Sequence, residues 1–190
     1  MKTRKYIFSS KRLGFRNWTI NDLKEFSEIN ADPSVMEHFP NTLSKKDTER
    51  FIERLRSMYN DKGYTYFATE ILKTGELIGF IGLAHQTYIA KFTPATDIGW
   101  RLKKTAWGKG YATEGAKKCL AYAFTELKLN KIIAICTINN EKSEKVMKKI
   151  GMTKQGSFKH PNLTEFPEHE QCVWYEIKNK NSLPTSKQHP

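Results

Sequence analysis

The stretch D-I-G-W-R-L-K-K-T-A-W-G-K-G-Y-A-T-E-G-A-K-K-C-L-A-Y-A-F, Asp97–Phe124, decides the fold. Its first residues read as a strand, and a basic loop with Gly108 and Gly110 follows. A helix then runs over roughly 111–128, with Ala112, Ala116, Leu120, Ala123 and Leu127 on one face and Phe124 beside them. A helix start leaves several backbone N–H groups unpaired and carries partial positive charge, so it suits an anion. Glycines at 108 and 110 remove Cβ atoms where the backbone must turn and approach a phosphate. Lys103, Lys104 and Lys109 add charge to the same loop. The stretch is therefore a candidate pyrophosphate cradle, although a Gly-x-Gly before a helix also serves as a plain turn. Two other nucleotide signatures fail. The run G-K-G-Y-A-T-E-G lacks the Lys-Ser/Thr end of a P-loop. The dinucleotide fingerprint needs a third glycine where Thr113 stands, and an acid that residues 130–138 do not carry.

Outward from this centre, residues 64–71 and 77–84 read as antiparallel strands joined by a turn at Lys73–Glu76, and 95–103 as the next strand. Downstream lie a buried strand at 131–138, a short helix at 141–150 ended by Gly151, and a last strand at 170–178. Upstream, a strand at 12–18 leads to Thr19, a helix start whose apolar stripe is Ile20, Leu23, Phe26 and Ile29. Ser44 with Asp47 opens a second helix with Phe51, Ile52, Leu55 and Met58 on one side. The order is a strand, two helices, three strands, helix, strand, helix, strand: a mixed α/β sheet.

The 190 residues carry a net charge of +12, which suits an anionic partner such as RNA, a ribosomal surface, an acidic substrate or a phosphorylated cofactor. No run approaches the roughly 20 apolar residues of a membrane span, the first residues lack a secretory signal, and three scattered cysteines suggest no disulfide framework. The expectation is a cytoplasmic protein. Trp18, Trp107 and Trp174 read as core, and His169 with Cys172 is too sparse for a metal site.

Residues 97–115 resemble motif A of the GNAT acetyltransferases, here W-G-K-G-Y-A-T-E. Asn140–Ser143 followed by V-M-K-K-I-G-M resembles their next motif, and R-L-G-F-R-N-W with D-P-S-V-M is similar to the RimJ/RimL-type branch of ribosomal-protein N-terminal acetyltransferases. The resemblance implies one N-acetyltransferase domain over 1–178, a polar tail over 179–190, and a mostly antiparallel sheet with two splayed parallel strands. It implies acetyl transfer from acetyl-CoA to an amine, on a protein N-terminus or a small molecule, by direct attack in a ternary complex. Carried over by position, Trp100, Arg101 and Leu102 would bind the pantetheine arm through their backbone. Gly108, Lys109, Gly110, Tyr111, Ala112 and Thr113 would hold the pyrophosphate, Asn140 would touch the pantetheine, and Ser143 would lie near the sulfur. Lys142, Lys145 and Lys149 would reach the adenosine phosphates.

Two positions depart from the pattern: Thr105 replaces an Arg or Gln, and Met147 replaces a tyrosine able to protonate the leaving thiolate, a task then left to Ser143 or water. Asp97 stands where the branch commonly has a glutamate and is the candidate base or ammonium anchor; the alternative is an ion pair with Arg101 or a lysine. His160 titrates in the useful range. Phe39, Tyr88 and His160 are candidate acceptor contacts. The competing expectation is a catalytically inactive CoA-binding or RNA- or ribosome-associated module on the same fold.

Overall fold

The computed structural model describes residues 6–180. It contains β1 (Phe8–Ser9), β2 (Leu13–Arg16), α1 (Leu23–Ala31), α2 (Lys45–Lys62), β3 (Tyr66–Ile71), β4 (Leu77–Gln86) and β5 (Ala95–Leu102). These are followed by α3 (Tyr111–Thr125), β6 (Lys131–Thr137), α4 (Glu141–Lys149), β7 (Thr153–Lys159), α5 (Pro167–Glu170) and β8 (Gln171–Lys178). Residues 181–190 of the expected tail lie outside the described residues.

Local chemistry sets the helix ends. Asp22 accepts from the Thr19 N–H at 2.7 Å and from its hydroxyl at 3.0 Å, fixing the entry to α1. The Ser44 hydroxyl accepts from the Asp47 N–H at 3.1 Å to start α2. Asn140 does the same for α4, accepting from the Ser143 N–H at 3.0 Å. The third helix stops at Thr125, three residues short of expectation. There Leu127 and Leu129 donate back to the carbonyls of Tyr122 and Ala123 while Lys128 turns left-handed at φ 54°, closing the last turn.

The eight strands lie in the order β1-β2-β3-β4-β5-β6-β8-β7, antiparallel throughout except for β5 and β6. Neither β1 nor β7 was expected. β1 is two residues long, and β7 (T-K-Q-G-S-F-K) is an exposed edge strand with two lysines and one large apolar side chain, so it offers no alternation to read.

Side chains alternate across β4, which splits the core in two. Ile81 packs with Leu13, Phe15, Ile98, Ala116 and Leu120 beneath α3, whereas Phe80 packs with Trp18, Phe26, Ile52 and Leu55 beneath α1 and α2. Trp18 and Trp174 are buried, as expected; Trp107 is only partly so. Among the described residues no helix is long and apolar enough to cross a membrane.

The third helix sits close to the sheet because Gly115 has no side chain: a Cβ there would land on Ile81 Cδ1 and lie 3.3 Å from Phe15. Gly115→Val should therefore lift α3 from β4 and destabilise the protein by about 1–3 kcal/mol, the usual cost of overpacking. Denaturant titration against wild type measures this.

Candidate active site

β4 holds β5 along its whole length, from Gly79↔Leu102 to Gln86↔Ala95, and β8 holds β6 likewise. Between β5 and β6 the pairing is Asp97↔Ile133 alone, so the two strands part immediately beyond Asp97. A cavity of about 820 Å³ occupies this fork. It is lined by β5 from Asp97 to Leu102, by Ile135–Thr137, by the starts of α3 and α4, and by residues 34–40 of the α1–α2 connection.

The fork leaves one backbone edge of β5 without a strand partner, which suits an amide-bearing ligand chain. The start of α3 supplies a second attraction. Its first internal bond runs from the Glu114 N–H to the Gly110 carbonyl at 3.0 Å, so the amides of Tyr111, Ala112 and Thr113 have no acceptor within the helix. Gly110 caps the helix at φ 78°, and Gly108 is also left-handed at φ 73°. A Cβ on Gly108 would meet nothing within 4 Å, and one on Gly110 only an Arg12 nitrogen at 3.6 Å, so both face open space. Unpaired amides, an unpaired strand edge and the cavity's size together fit the pyrophosphate and amide-containing arm of acetyl-CoA.

Nearly all the residues singled out from sequence converge on this cavity: Asp97, Trp100, Arg101, Leu102, Gly108, Gly110, Tyr111, Ala112, Thr113, Asn140, Ser143, Phe39, Tyr88 and His160 all line it. Lys109 does not; it is exposed beyond the rim. Lys103 is ion-paired with Glu76, and Lys104 reaches Ser34 at 3.3 Å, so neither is turned to a cradle. Lys142, Lys145 and Lys149 do line the cavity, with Lys142 lying 4.7 Å over the Trp107 ring. The Asn140 carbonyl oxygen is engaged in capping α4. Thr105 is exposed and away from the lining, while Met147 is buried and part of it.

Asp97 forms no ion pair with Arg101. It is 4% exposed, and both its oxygens accept from the Tyr66 hydroxyl at 2.8 Å. The Tyr66 ring fits there because Gly99 leaves room above β5. Burial raises the Asp97 carboxyl to about 6, against the opposing hydrogen bonds from Tyr66 and Gln86. Arg101, 8% exposed, instead donates to Asn30 Oδ1 at 2.8 Å.

His160 accepts from the Asn162 N–H at 3.2 Å, and its ring lies 4.5 Å from that of Tyr88, tilted by 41°; burial lowers its pKa. Among the described residues the buried Tyr88 hydroxyl has no hydrogen-bond partner, and burial raises its pKa. Among the lining residues that escaped the sequence reading, Tyr66 and His38 stand beside the candidate base and acceptor contacts. Tyr66 lies in an ordinary strand pattern, and His38, whose pKa burial lowers, lies 3.4 Å from Thr137 on the α1–α2 connection, without a motif.

A family model described as the acetyltransferase (GNAT) domain matches residues 12–153. The chain belongs to the GNAT acetyltransferase family. It is 31% identical over 152 residues to YnaD of Bacillus subtilis, named an uncharacterised N-acetyltransferase, covering 80% of this chain and 85% of that one. It is 27% identical to the spermidine N(1)-acetyltransferase of Escherichia coli over 143 residues, 73% of this chain and 72% of the other. A GNAT acetyltransferase structure from Bacillus anthracis matches with a TM-score of 0.73 and 28% identity, covering 90% of this chain and 96% of that one. The protein is an acetyl-CoA-dependent N-acetyltransferase.

Two outcomes are expected. Gly110→Val places a branched side chain in the space before α3, at a left-handed position that costs about 1–2 kcal/mol. Calorimetric titration of the folded variant should then show no CoA binding. The second concerns stability. Because the folded Asp97 pKa is raised from 3.8 to about 6, its stabilising protonated form is fully present below 3.8, and that stability is lost as pH rises through about 6. Asp97→Asn should thus raise the unfolding free energy from denaturant titration at pH 8 by at most about 3 kcal/mol, and the gain should vanish toward pH 4.

Proposed function

We propose that this enzyme acetylates a primary amine, on a protein N-terminus or a small molecule, in the manner of the RimJ/RimL-type branch, with Asp97 as the base. The observation that carries this reading is the position of Asp97: buried, hydrogen-bonded by Tyr66, and standing where β5 and β6 part. Acetyl-CoA supplies an activated acyl group. The α3 amides from Tyr111 to Thr113, with Lys142 and Lys149, would hold its phosphates; the free edge of β5 at Trp100–Leu102 would align its arm.

The amine nitrogen attacks the thioester carbonyl carbon, an N–C bond forms and the C–S bond breaks. One proton leaves the nitrogen for Asp97, directly or through a water, and one is delivered to the departing thiolate. Ser143, in the first turn of α4 and lining the cavity, would relay that second proton in the absence of the usual tyrosine. A base with a pKa of about 6 is ionised at neutral pH yet far less mismatched to the task than an ordinary aspartate. Phe39, Tyr88, His38 and His160 would border the acceptor. The three cysteines are free thiols, which suits a reducing cytoplasm.

A thiol-release screen over peptides, polyamines, aminoglycosides and amino acids finds the acceptor class. On the best acceptor, kcat/KM should rise with pH through about 6 as Asp97 ionises. Asp97→Asn should abolish that rise and cost about 10²-fold or more at neutral pH. An unchanged rate and profile in the variant would make Asp97 structural.

A further inference from the structure

Two arginines have very different surroundings in this protein. Arg16 is the pattern of a structural buried cation: its guanidinium meets Asp22 at 2.6 Å and Glu70 at 2.5 Å. Arg101 is more deeply buried and has no such partner. Among the described residues its guanidinium makes one hydrogen bond, to the neutral Asn30, its Nε is buried with no acceptor, and the rings of Phe39, Phe51 and Phe80 lie around it at 4.1, 5.6 and 5.5 Å. A guanidinium offers five N–H donors, and burying the charge without an acid is costly. Burial, with a smaller contribution from neighbouring Arg54 and against an opposing one from Tyr66, accordingly lowers it to about 10.

Arg54 is the second unmatched cation. It is exposed on α2, lies 4.9 Å over the same Phe51 ring, and lines the same cavity. Among the described residues neither arginine has a carboxylate within ion-pair distance. Phe39 covers the Arg101 guanidinium and is itself 37% exposed, so its displacement opens the site.

Arg101 and Asp97 share one strand face, four residues and so on the order of 13 Å apart along β5. The acceptor side of the cavity is therefore dipolar, with an acid at the fork and two unpaired arginines at the far end. We infer that Arg54 and Arg101 form an anion site for the acceptor, and that the enzyme selects amines carrying a carboxylate or similar acidic group set back from the nitrogen. This rests on the acetyltransferase reading of the cavity given above. An amine bound at Asp97 extends its chain toward α2, where the acid meets Arg54 and, once Phe39 moves, the free donors of Arg101. A polyamine would bring a second positive charge to the same end, where among the described residues the nearby acids are Glu37 beside His38 and Asp47, the latter already engaged by Ser44 and Arg50.

The test compares kcat/KM for matched acceptors: peptides Ala-Ala-Glu-Ala, Ala-Ala-Gln-Ala and Ala-Ala-Lys-Ala as amides, then aminohexanoate, hexylamine and spermidine. The expected result is a preference of about tenfold or more for each acidic acceptor over its neutral match, carried by KM, with lysine peptide and spermidine last. Preference among the peptides alone identifies a peptide acceptor; preference for aminohexanoate over hexylamine identifies a small one. Arg54→Ala, an exposed change, should reduce the acid-to-neutral ratio to within about threefold, as should Arg101→Met, which keeps the buried volume. Equal use of acidic and neutral acceptors, or a ratio untouched by Arg54→Ala, overturns the anion site while leaving the acetyltransferase reading intact. If no amine is acetylated, that reading fails, and calorimetric titration of the CoA-saturated enzyme decides the site separately. Acetamidohexanoate should bind and N-acetylhexylamine should not, with the difference lost in Arg54→Ala; equal binding overturns the inference.

Discussion

The parting of β5 and β6 beyond the Asp97–Ile133 pair is the constraint on which the site depends. A central strand with an unpaired edge is unfavourable, because its N–H and C=O groups lose their ladder partners. The fold makes the gap tolerable by securing each strand on its other side, β5 to β4 over eight residue pairs and β6 to β8 over seven. Helices close the two faces: α3 rests on β4 at Gly115, and α1 with α2 covers the face around Phe80. The starts of α3 and α4 consequently meet at the mouth of the gap. A ligand with amides along its length and phosphates at one end satisfies both the edge and the helix start, so the fork is an opening shaped for acetyl-CoA.

Much of this was legible in the sequence because it depends on local chemistry. Ser44, Asn140 and Gly110 mark helix starts through capping or backbone angle, and the alternation in β3, β4 and β5 follows from burial on two faces. The strand-loop-helix over Asp97–Phe124 therefore read correctly. What was not legible depends on partners distant in sequence. Nothing in Y-T-Y-F-A-T-E-I announces that Tyr66 will hold Asp97, since that contact needs β4 to lie between them and Gly99 to leave space. His38 arrives by way of an irregular connection with no periodicity. Edge strand β7 lacks the alternation that burial imposes. Lys103 and Lys109 were grouped with the glycine loop by proximity in sequence, but the loop's turn sends one to Glu76 and the other to solvent.

Charge distribution adds a further level. The chain's excess of +12 is not spread evenly in its effect, because several lysines are matched by acids, among them Lys131, Lys154 and Lys159 with Glu176, Glu144 and Glu170. Around the cavity Lys145 keeps a partner in Glu141, but among the described residues three cations lack an acid: Lys142 lies on Trp107, Arg54 on Phe51, and Arg101 against Asn30. Unmatched cations at one enclosed site create a positive potential that attracts phosphate at the α3–α4 mouth. On the proposed acceptor side the two arginines would extend the same potential. A basic composition alone points to any anion; the positions of the unpaired charges distinguish a cofactor end from an acceptor end.

That arrangement also bears on the state in which an amine enters. An acceptor must be neutral at nitrogen to attack, yet most amines are protonated at neutral pH: an α-amine with a pKa near ~7.7–8.0 is roughly a tenth neutral, an alkyl amine near ~10.4 far less than one in a hundred. An anionic Asp97 favours the ammonium, whereas burial and the two arginines disfavour it. The raised Asp97 pKa reconciles these demands. In the proposed mechanism it would be charged enough near neutrality to draw in an ammonium, and close enough to protonation to receive its proton once water is excluded. Under the same proposal the arginines would oppose re-formation of the cation, and an acidic group on the acceptor would compensate their charge without adding any positive charge near the nitrogen. The α-amine of an acidic peptide makes the smallest demand on this machinery, since it starts with the lowest pKa and brings the negative charge that the far end of the cavity lacks.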